Sequence, residues 1–156
     1  MTLAEHFGVA PASVTGMLKK LADERPALVD YVPRHGVKLT VVGKRVALEM
    51  LRHHRLIELY LHEALGYSWD EVHAEAERLE HVISEQFEDR IAAYLGNPEF
   101  DPHGDPIPTK DGSCAEAPGD CLTSLRTGQS GRVARVVDDD PALLRYLTEL
   151  GIMPRV

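Results

Sequence analysis

The sequence predicts a mainly α-helical fold, in which a winged helix-turn-helix is followed by a helical domain. Apolar residues recur with helical spacing in five segments. Two short strand-like runs lie between the second and third of these segments, and a stretch rich in Pro, Gly and Asp covers residues 99–120. This order indicates a winged module at the N-terminal end and a loop or linker before the last helical segment.

The helix-turn-helix is predicted from the first 21 residues. A short helical pattern starts at Leu3 and is ended by Gly8. Pro11 stands where a second helix can begin, because the first helical turn does not need its missing N–H. Apolar residues then continue at helical spacing to Leu21. Two short helices joined by a tight turn that contains Gly form this motif.

A β-hairpin wing and two long helices are predicted next. Residues 28–32 and 37–40 are strand-like, and the turn between them carries Arg34 and His35 at its tip. The long helices are predicted over 46–65 and 69–95, each followed by Gly. Residues 122–137 predict a strand-turn-strand unit, and residues 141–150 predict a short helix.

Length and composition exclude several classes of protein. The 156 residues are 44% apolar and 27% charged, which is normal for a globular chain. Charged residues interrupt every apolar run before it reaches the length of a membrane span, and the first residues lack the pattern of a secretory signal. Cys114 and Cys121 are too few for a disulfide scaffold, so the cytosol is the expected compartment.

The charge is divided unevenly along the chain. The net charge is −8, but residues 1–55 hold nine Lys or Arg and five Asp or Glu, which gives +4. Residues 56–156 hold eight basic and twenty acidic residues, which gives −12. A basic N-terminal third on an acidic body is typical of a polyanion-binding module joined to another domain. A chance distribution over a solvated surface is the alternative.

A pattern of His and Glu in the two long helices carries the functional signal. His73, Glu77, Glu80 and His81 share an arc of roughly 100° beside an apolar stripe. Two carboxylates next to a buried apolar stripe need a positive charge nearby, and a divalent cation bound by His nitrogen and carboxylate oxygen would provide that charge. Manganese, ferrous iron and zinc suit these ligands. A surface helix with ordinary Glu and His is the alternative.

The preceding helix strengthens the metal hypothesis. His54 and Glu58 are four residues apart, so they share a helix face. A helix pair with these residues on facing sides resembles the metal sites inside helical bundles. His53 directly precedes His54 in the sequence. The other four histidines lie outside this pattern of His and Glu, and we interpret them as surface residues: His6, His35, His62 and His103.

With the helix-turn-helix, the wing and this His and Glu pattern, the sequence resembles the diphtheria toxin repressor family of metal-dependent bacterial repressors, which has iron-dependent and manganese-transport branches. Each matching piece is weak alone, but their order and spacing are specific. The pieces are Ala4-Glu5 with Pro11-Ala12-Ser13-Val14-Thr15, Leu39-Thr40 with Gly43-Lys44, His54-Arg55-Leu56 with Glu58, Val72-His73 with Glu77 and Glu80-His81, and Gly104-Asp105-Pro106-Ile107-Pro108.

The resemblance implies a domain organisation and a set of metal ligands. It implies a winged-helix DNA-binding domain over 1–45, a helical metal-binding and dimerisation domain over 46–112, and a linker with the start of a small Src-homology-3-like β-barrel over 113–156. Within the helical domain it implies a principal, activating site and an ancillary site. The principal ligands are Glu77, Glu80 and His81, and the ancillary ligands are His54, Glu58 and His73.

The resemblance also implies the metal. In the manganese branch His54 joins the principal cluster, and iron-sensing members commonly carry a cysteine where Glu77 stands. Oxygen in place of sulfur makes the site harder, which favours Mn²⁺ with Fe²⁺ close behind.

Two departures from the family pattern are expected to matter. The family's first helix, which supplies one or two metal ligands, would precede residue 2, and the barrel stops part-way, at Met153-Pro154-Arg155-Val156. The carboxylates of Asp138–Asp140 are candidates to complete the ancillary site from the barrel.

The resulting hypothesis is a homodimeric, metal-activated transcriptional repressor of manganese or iron homeostasis that binds double-stranded operator DNA. Helix 11–21 would enter the major groove, and the wing would reach the phosphate backbone. The residues expected nearest the DNA are Pro11, Ser13, Thr15, Gly16, Lys19, Lys20 and Arg34.

Two alternatives stay open. One is a metal-independent winged-helix dimer, and the other is a metallohydrolase. The sequence contains no His-Glu-x-x-His motif, nucleophile elbow or phosphate-binding Gly-rich loop, so a non-enzymatic role is expected.

Overall fold

The structure is a computed structural model that describes residues 2–117, 119–136 and 140–154. It divides into two compact units, residues 1–47 and residues 48–156. The end of the predicted strand-turn-strand unit at Val137, the candidate ligands Asp138 and Asp139, and the terminal Arg155 and Val156 lie outside the described residues.

The first unit begins with the predicted helix-turn-helix. Helix α1 spans Leu3–His6 and helix α2 spans Pro11–Asp23. Thr2 caps α1 reciprocally with Glu5: the Thr2 N–H donates to Glu5 Oε2 over 2.6 Å, and the Glu5 N–H donates to Thr2 Oγ1 over 3.3 Å. Gly8 turns the chain between the helices with a φ of +61°, a conformation that glycine adopts without steric cost.

The predicted wing is a two-stranded antiparallel sheet. Strand β1 spans Val29–Val32, strand β2 spans Gly36–Leu39, and Val29 pairs with Leu39 at the base. The tip of the hairpin uses positive φ angles, +64° at Arg34 and +110° at Gly36. The side chain of Arg34 therefore projects from a tight turn, as the sequence predicted.

Helix α3 spans Val41–Leu65 and begins five residues before the predicted start. The reason lies at Thr40, whose Oγ1 accepts from the Gly43 N–H over 3.0 Å and donates to the Ala27 carbonyl over 2.7 Å. A Cβ on Gly43 would lie 1.8 Å from the Leu28 carbonyl oxygen, so only glycine permits this close approach of the backbones.

The prediction of one helix over 69–95 is wrong. Helix α4 spans Val72–Leu79 and helix α5 spans Glu85–Tyr94. Ser84 starts the new helix, because its hydroxyl accepts from the Phe87 N–H over 3.3 Å. The break places two predicted ligands, Glu80 and His81, in the turn between the helices rather than on a helix face.

Helix α3 carries two apolar faces in the second unit. One face packs with α5 and the following loop, and the other packs with α4. The first cluster consists of Leu56, Leu59, Ile91, Ala92 and Ile107, and the second consists of Ile57, Leu61, Val72 and Ala76. Because α3 is buried on both sides, the polar residues between these faces, such as Glu58, are buried too.

Residues 101–108 form a loop, as their composition predicted, and this loop is buried. Two arginines of α3 hold it. Arg52 donates to the Pro108 carbonyl over 2.8 Å, and Arg55 donates to the Pro106 carbonyl over 2.5 Å and pairs with Asp105 over 3.2 Å. These charge-assisted bonds satisfy backbone groups that would otherwise be buried without partners.

The predicted strand-turn-strand unit over 122–137 is wrong within the described residues 119–136. A short 3-10 turn, Leu122–Ser124, stands there, and the run that was expected to form a second strand lies against the buried loop instead. The Val136 N–H donates to the His103 carbonyl over 2.9 Å, and Arg135 pairs with Asp105 over 2.8 Å. The structure therefore shows no β-barrel in these described residues.

The predicted short helix is present as α6, which spans Pro141–Glu149. Asp140, one of the candidate ancillary ligands, caps it by accepting from the Ala142 N–H over 2.9 Å. Among the described residues, no helix has both the length and the apolar character that crossing a membrane requires.

Candidate metal centre

The predicted ancillary ligands come together between α3 and α4. His54 Nε2 lies 2.9 Å from Glu58 Oε1 and 3.0 Å from His73 Nδ1, and His73 Nδ1 lies 3.1 Å from Glu58 Oε1. Glu58 is fully buried, whereas the His73 side chain is 43% exposed. Three potential donor atoms thus form a nearly equilateral triangle whose buried corner is a carboxylate.

This triangle fits a divalent metal ion. Adjacent ligand atoms of an octahedral ion, each about 2.1 Å from it, are about 3.0 Å apart, as these three atoms are. Two imidazoles and one carboxylate are also the ligand types that Mn²⁺, Fe²⁺ and Zn²⁺ accept. The residues present therefore fit the metal in both spacing and chemistry.

The electrostatics of the triangle are those of an ion pair. Burial lowers the pKa of His54, but the carboxylates of Glu58 and Glu80 outweigh it and raise that pKa to about 9. Burial likewise raises the pKa of Glu58, but hydrogen bonds from His54 and His73 outweigh it and lower that pKa to about 2. A protonated His54 thus pairs with a charged Glu58 when no metal is bound.

The predicted principal ligands are only partly brought together. Glu80 Oε2 lies 2.6 Å from His54 Nδ1, and Glu80 Oε1 lies 3.4 Å from His81 Nε2. His54 therefore contacts Glu58 and His73 with one ring nitrogen, Nε2, and Glu80 with the other, Nδ1. Glu77 is exposed, and in the described part of the chain it belongs to no group of three donors within 4.8 Å.

A second donor set lies on the other side of Glu58. Donor atoms of Glu58, Asp101 and His103 lie within 4.8 Å of one another, and all three residues are buried. Within the described residues no hydrogen bond reaches Glu58 Oε2 or Asp101 Oδ2, although Arg55 pairs with Asp101 over 3.4 Å. Two buried carboxylate oxygens without a hydrogen bond are costly, and a cation would compensate both.

The loop conformation prepares Asp101 for this role. Asp101 Oδ1 accepts from the His103 and Asp105 N–H groups, each over 2.9 Å, so the loop closes on that oxygen. Burial raises the pKa of Asp101 to about 6; the hydrogen bond from the Asp105 N–H opposes this rise, and the charge of Glu58 adds to it. One carboxylate oxygen thus holds the loop, while the other, Oδ2, accepts no hydrogen bond from the described residues and lies 3.4 Å from Arg55 Nε.

Sequence reasoning missed this second set. The interpretation of His103 as a surface residue is wrong, because its side chain is fully buried and its Nδ1 lies 3.9 Å from Glu58 Oε2. The composition of residues 99–120 predicts only a loop or linker at Asp101. The signal that could have found both is the adjoining Gly104-Asp105-Pro106-Ile107-Pro108 stretch, since its two prolines restrict the backbone next to Asp101 and His103.

A third group of donors is already compensated. It consists of Glu49, His53 and Glu85. His53 Nε2 donates to the buried Glu88 over 2.9 Å, and Lys110 Nζ lies 3.1 Å from Glu85 Oε2. Since Lys110 supplies positive charge to Glu85 and His53 is hydrogen-bonded to Glu88, we interpret this group as part of a hydrogen-bonded ion-pair network.

The seven residues predicted to contact DNA all lie in the first unit, six on α2 and Arg34 in the wing. Six of them are exposed, and the seventh, Thr15, is half-buried and donates to the Pro11 carbonyl over 3.0 Å. Nothing lies within 4 Å of the position that a Cβ on Gly16 would take, so this helix face is open. Their contact with DNA stays a prediction.

The part of the chain that carries these donors is similar in sequence to known proteins. Residues 40–109, which include all the donors above, match a family model described as the metal binding and dimerisation domain of iron-dependent repressors, and residues 121–154 match the FeoA domain. The iron-dependent repressor IdeR of Mycobacterium leprae is 37% identical over 97% of this chain and 70% of its own length. The chain belongs to the diphtheria toxin repressor family. The resemblance found in the sequence is therefore confirmed.

Further relatives place the chain within this family of metal-dependent transcriptional repressors. A solved manganese-dependent transcriptional repressor in complex with manganese is 47% identical, with a TM-score of 0.86, and the match covers 97% of this chain and 69% of that one. The diphtheria toxin repressor of Corynebacterium glutamicum is 38% identical over 68% of this chain. The chain spans 46% of the length of that repressor. Relatives named for iron and for manganese thus both match.

Proposed function

We propose that this protein is a DNA-binding transcriptional repressor that Mn²⁺ or Fe²⁺ activates and that controls the homeostasis of one of these metals. The observation that carries the proposal is the triangle of His54, Glu58 and His73 donor atoms, 2.9–3.1 Å apart, in a member of a metal-dependent repressor family. Mn²⁺ is favoured, because every donor of the proposed sites is oxygen or imidazole nitrogen and none is sulfur.

The ligands are assigned as follows. His54, Glu58 and His73 hold one ion, and Glu58 presents its second oxygen to Asp101 and His103 for another. Glu80 and His81, together with Glu77, form the activating set, which is linked to the first ion through His54. A bound divalent ion supplies positive charge among these carboxylates, and His54 must lose its proton to bind it.

The protein acts as a homodimer on double-stranded operator DNA in the cytoplasm. The family model for residues 40–109 includes dimerisation, and the exposed Lys and Arg of the first unit provide phosphate contacts. We divide the chain into a winged-helix DNA-binding domain at 1–45, a helical metal-binding and dimerisation domain at 46–112, and a linker with a C-terminal FeoA-type segment at 113–156. The boundary between the compact units at residue 47 and the FeoA match at 121–154 support this division.

Calorimetric titration tests the proposal. Mn²⁺, Fe²⁺, Zn²⁺ and Mg²⁺ are titrated into the protein alone and into the protein with duplexes selected from a random library in the presence of Mn²⁺. Binding of metal and DNA should each strengthen the other by the same factor, because linkage is reciprocal. Metal affinity that is unchanged by DNA would leave the metal-independent winged-helix dimer as the better account.

A further inference from the structure

Trp69 orients the buried imidazole of the second donor set. The Trp69 carbonyl lies 2.7 Å from His103 Nε2. A carbonyl oxygen can only accept, so Nε2 carries the hydrogen and a neutral His103 has its lone pair on Nδ1. Nδ1 is the nitrogen that faces Glu58 Oε2. The Trp69 indole also stacks on the imidazole, with ring centroids 5.8 Å apart and planes at 24°, so one residue sets both the tautomer and the ring plane.

Trp69 in turn is held by helix α6. It lies in a turn between α3 and α4 and is 5% exposed. Its indole Nε1 donates to Thr148 Oγ1 of α6 over 2.7 Å. Beside this bond, Leu144 of α6 is 1% exposed, and Arg145 of α6 pairs with Asp70 over 3.1 Å. The C-terminal helix therefore fixes the turn that fixes His103.

We propose that Trp69 is a positioning residue through which the docking of α6 sets the metal affinity of the Glu58, Asp101 and His103 donor set. The inference rests on the proposed function, since it assumes that this set binds a metal. Outer contacts that fix the tautomer of a ligating histidine typically change metal affinity 10- to 100-fold. By reciprocity, a metal at this set strengthens the docking of α6. The segment that matches the FeoA domain thereby becomes a regulatory element of the metal centre.

The test uses three single variants of the full chain, the double variant that combines Thr148→Val with His103→Ala, and Mn²⁺ as the probe. Thr148→Val removes the acceptor for the indole but keeps the side-chain shape, and Thr148→Ser keeps the acceptor. His103→Ala removes the second donor set. Calorimetry measures the Mn²⁺ affinity, and hydrogen exchange of 141–149 measures the docking of α6. The fluorescence of Trp69, the only tryptophan, reports its environment.

We expect Thr148→Val to weaken Mn²⁺ binding at the second donor set about tenfold or more and to leave Mn²⁺ binding elsewhere in the protein unchanged. Thr148→Ser should bind like the wild type. Thr148→Val should have no further effect on Mn²⁺ affinity in the His103→Ala background, because the two changes act on the same site. Mn²⁺ should slow hydrogen exchange in α6 of the wild type and do so less in Thr148→Val.

Each other outcome is decisive. If Thr148→Val binds Mn²⁺ as tightly as the wild type, the coupling is refuted and the proposed function stands. The same conclusion follows if Thr148→Ser binds Mn²⁺ as weakly as Thr148→Val. A wild type that binds none of Mn²⁺, Fe²⁺ and Zn²⁺ overturns the proposed function itself. If Thr148→Val does not fold, Arg145→Ala replaces it, because that side chain is 59% exposed. Unchanged affinity in Arg145→Ala would then refute the coupling.

Discussion

Replacing Glu58 with Gln tests the electrostatics of the centre in the metal-free protein. Gln has the same shape but no charge, so protonated His54 keeps only Glu80 as a close anionic partner. A carboxyl group whose pKa falls from 4.5 to about 2 is stabilised in its charged form by about 3 kcal/mol. Removing one member of a buried ion pair costs a similar amount, roughly 3–5 kcal/mol. We therefore expect a loss of about 3 kcal/mol, a large share of the 5–15 kcal/mol that is typical of a domain.

The assay is urea unfolding in EDTA at pH 7, followed by circular dichroism. The matched control is Glu63→Gln, the same chemical change at an exposed position of the same helix, which should be within about 0.5 kcal/mol of the wild type. With Mn²⁺ present the difference between Glu58→Gln and the wild type should widen, because both donor sets lose a ligand. A loss equal to that of Glu63→Gln would refute the assignment of a buried ion pair.

Three further predictions concern the loop, the pH and the DNA. Gly104→Ala should destabilise the protein by about 2 kcal/mol and weaken metal binding. The φ of Gly104 is +87°, and the new Cβ would lie 2.0 Å from the Ala134 carbonyl oxygen. An unchanged midpoint of urea unfolding would contradict this prediction. His54, whose pKa is raised to about 9, should contribute its full stabilisation of the metal-free protein below about pH 6.5 and lose it as the pH rises through about 9. In urea unfolding, His54→Gln should lack this pH dependence of stability. Equal stability–pH profiles of His54→Gln and the wild type would contradict the prediction. Lys20→Ala and Arg34→Ala should each weaken binding to specific and to random DNA equally. Each should also reduce the slope of log affinity against log salt concentration by about 1. A variant with altered sequence preference and an unchanged slope would indicate that the residue contacts bases instead.

The parts of the fold that were predictable from the sequence are those that local rules determine. The helix-turn-helix and wing follow from Gly8, Pro11 and the turn at 33–36, each of which acts within a few residues. His54 and Glu58 were paired correctly because a four-residue spacing on a helix fixes their separation. Local rules also contained the missed break in the helix over 69–95, since Ser84 followed by an acidic first turn is a helix start.

The second donor set could not be found in this way. It joins Glu58 to Asp101 and His103, more than forty residues later, and the loop is placed by Arg52 and Arg55. No periodicity connects these positions, because the contact depends on tertiary packing. The same holds for the stretch 133–136, which was strand-like locally but lies along the buried loop.

The most direct test of the account is the affinity of the protein for a selected duplex with Mn²⁺ and with EDTA, measured by fluorescence anisotropy at fixed ionic strength. The account predicts tight, sequence-specific binding with Mn²⁺ and a loss of at least tenfold with EDTA, with Glu58→Gln showing little response to the metal. Equal affinity in Mn²⁺ and in EDTA would contradict the claim that this centre controls DNA binding.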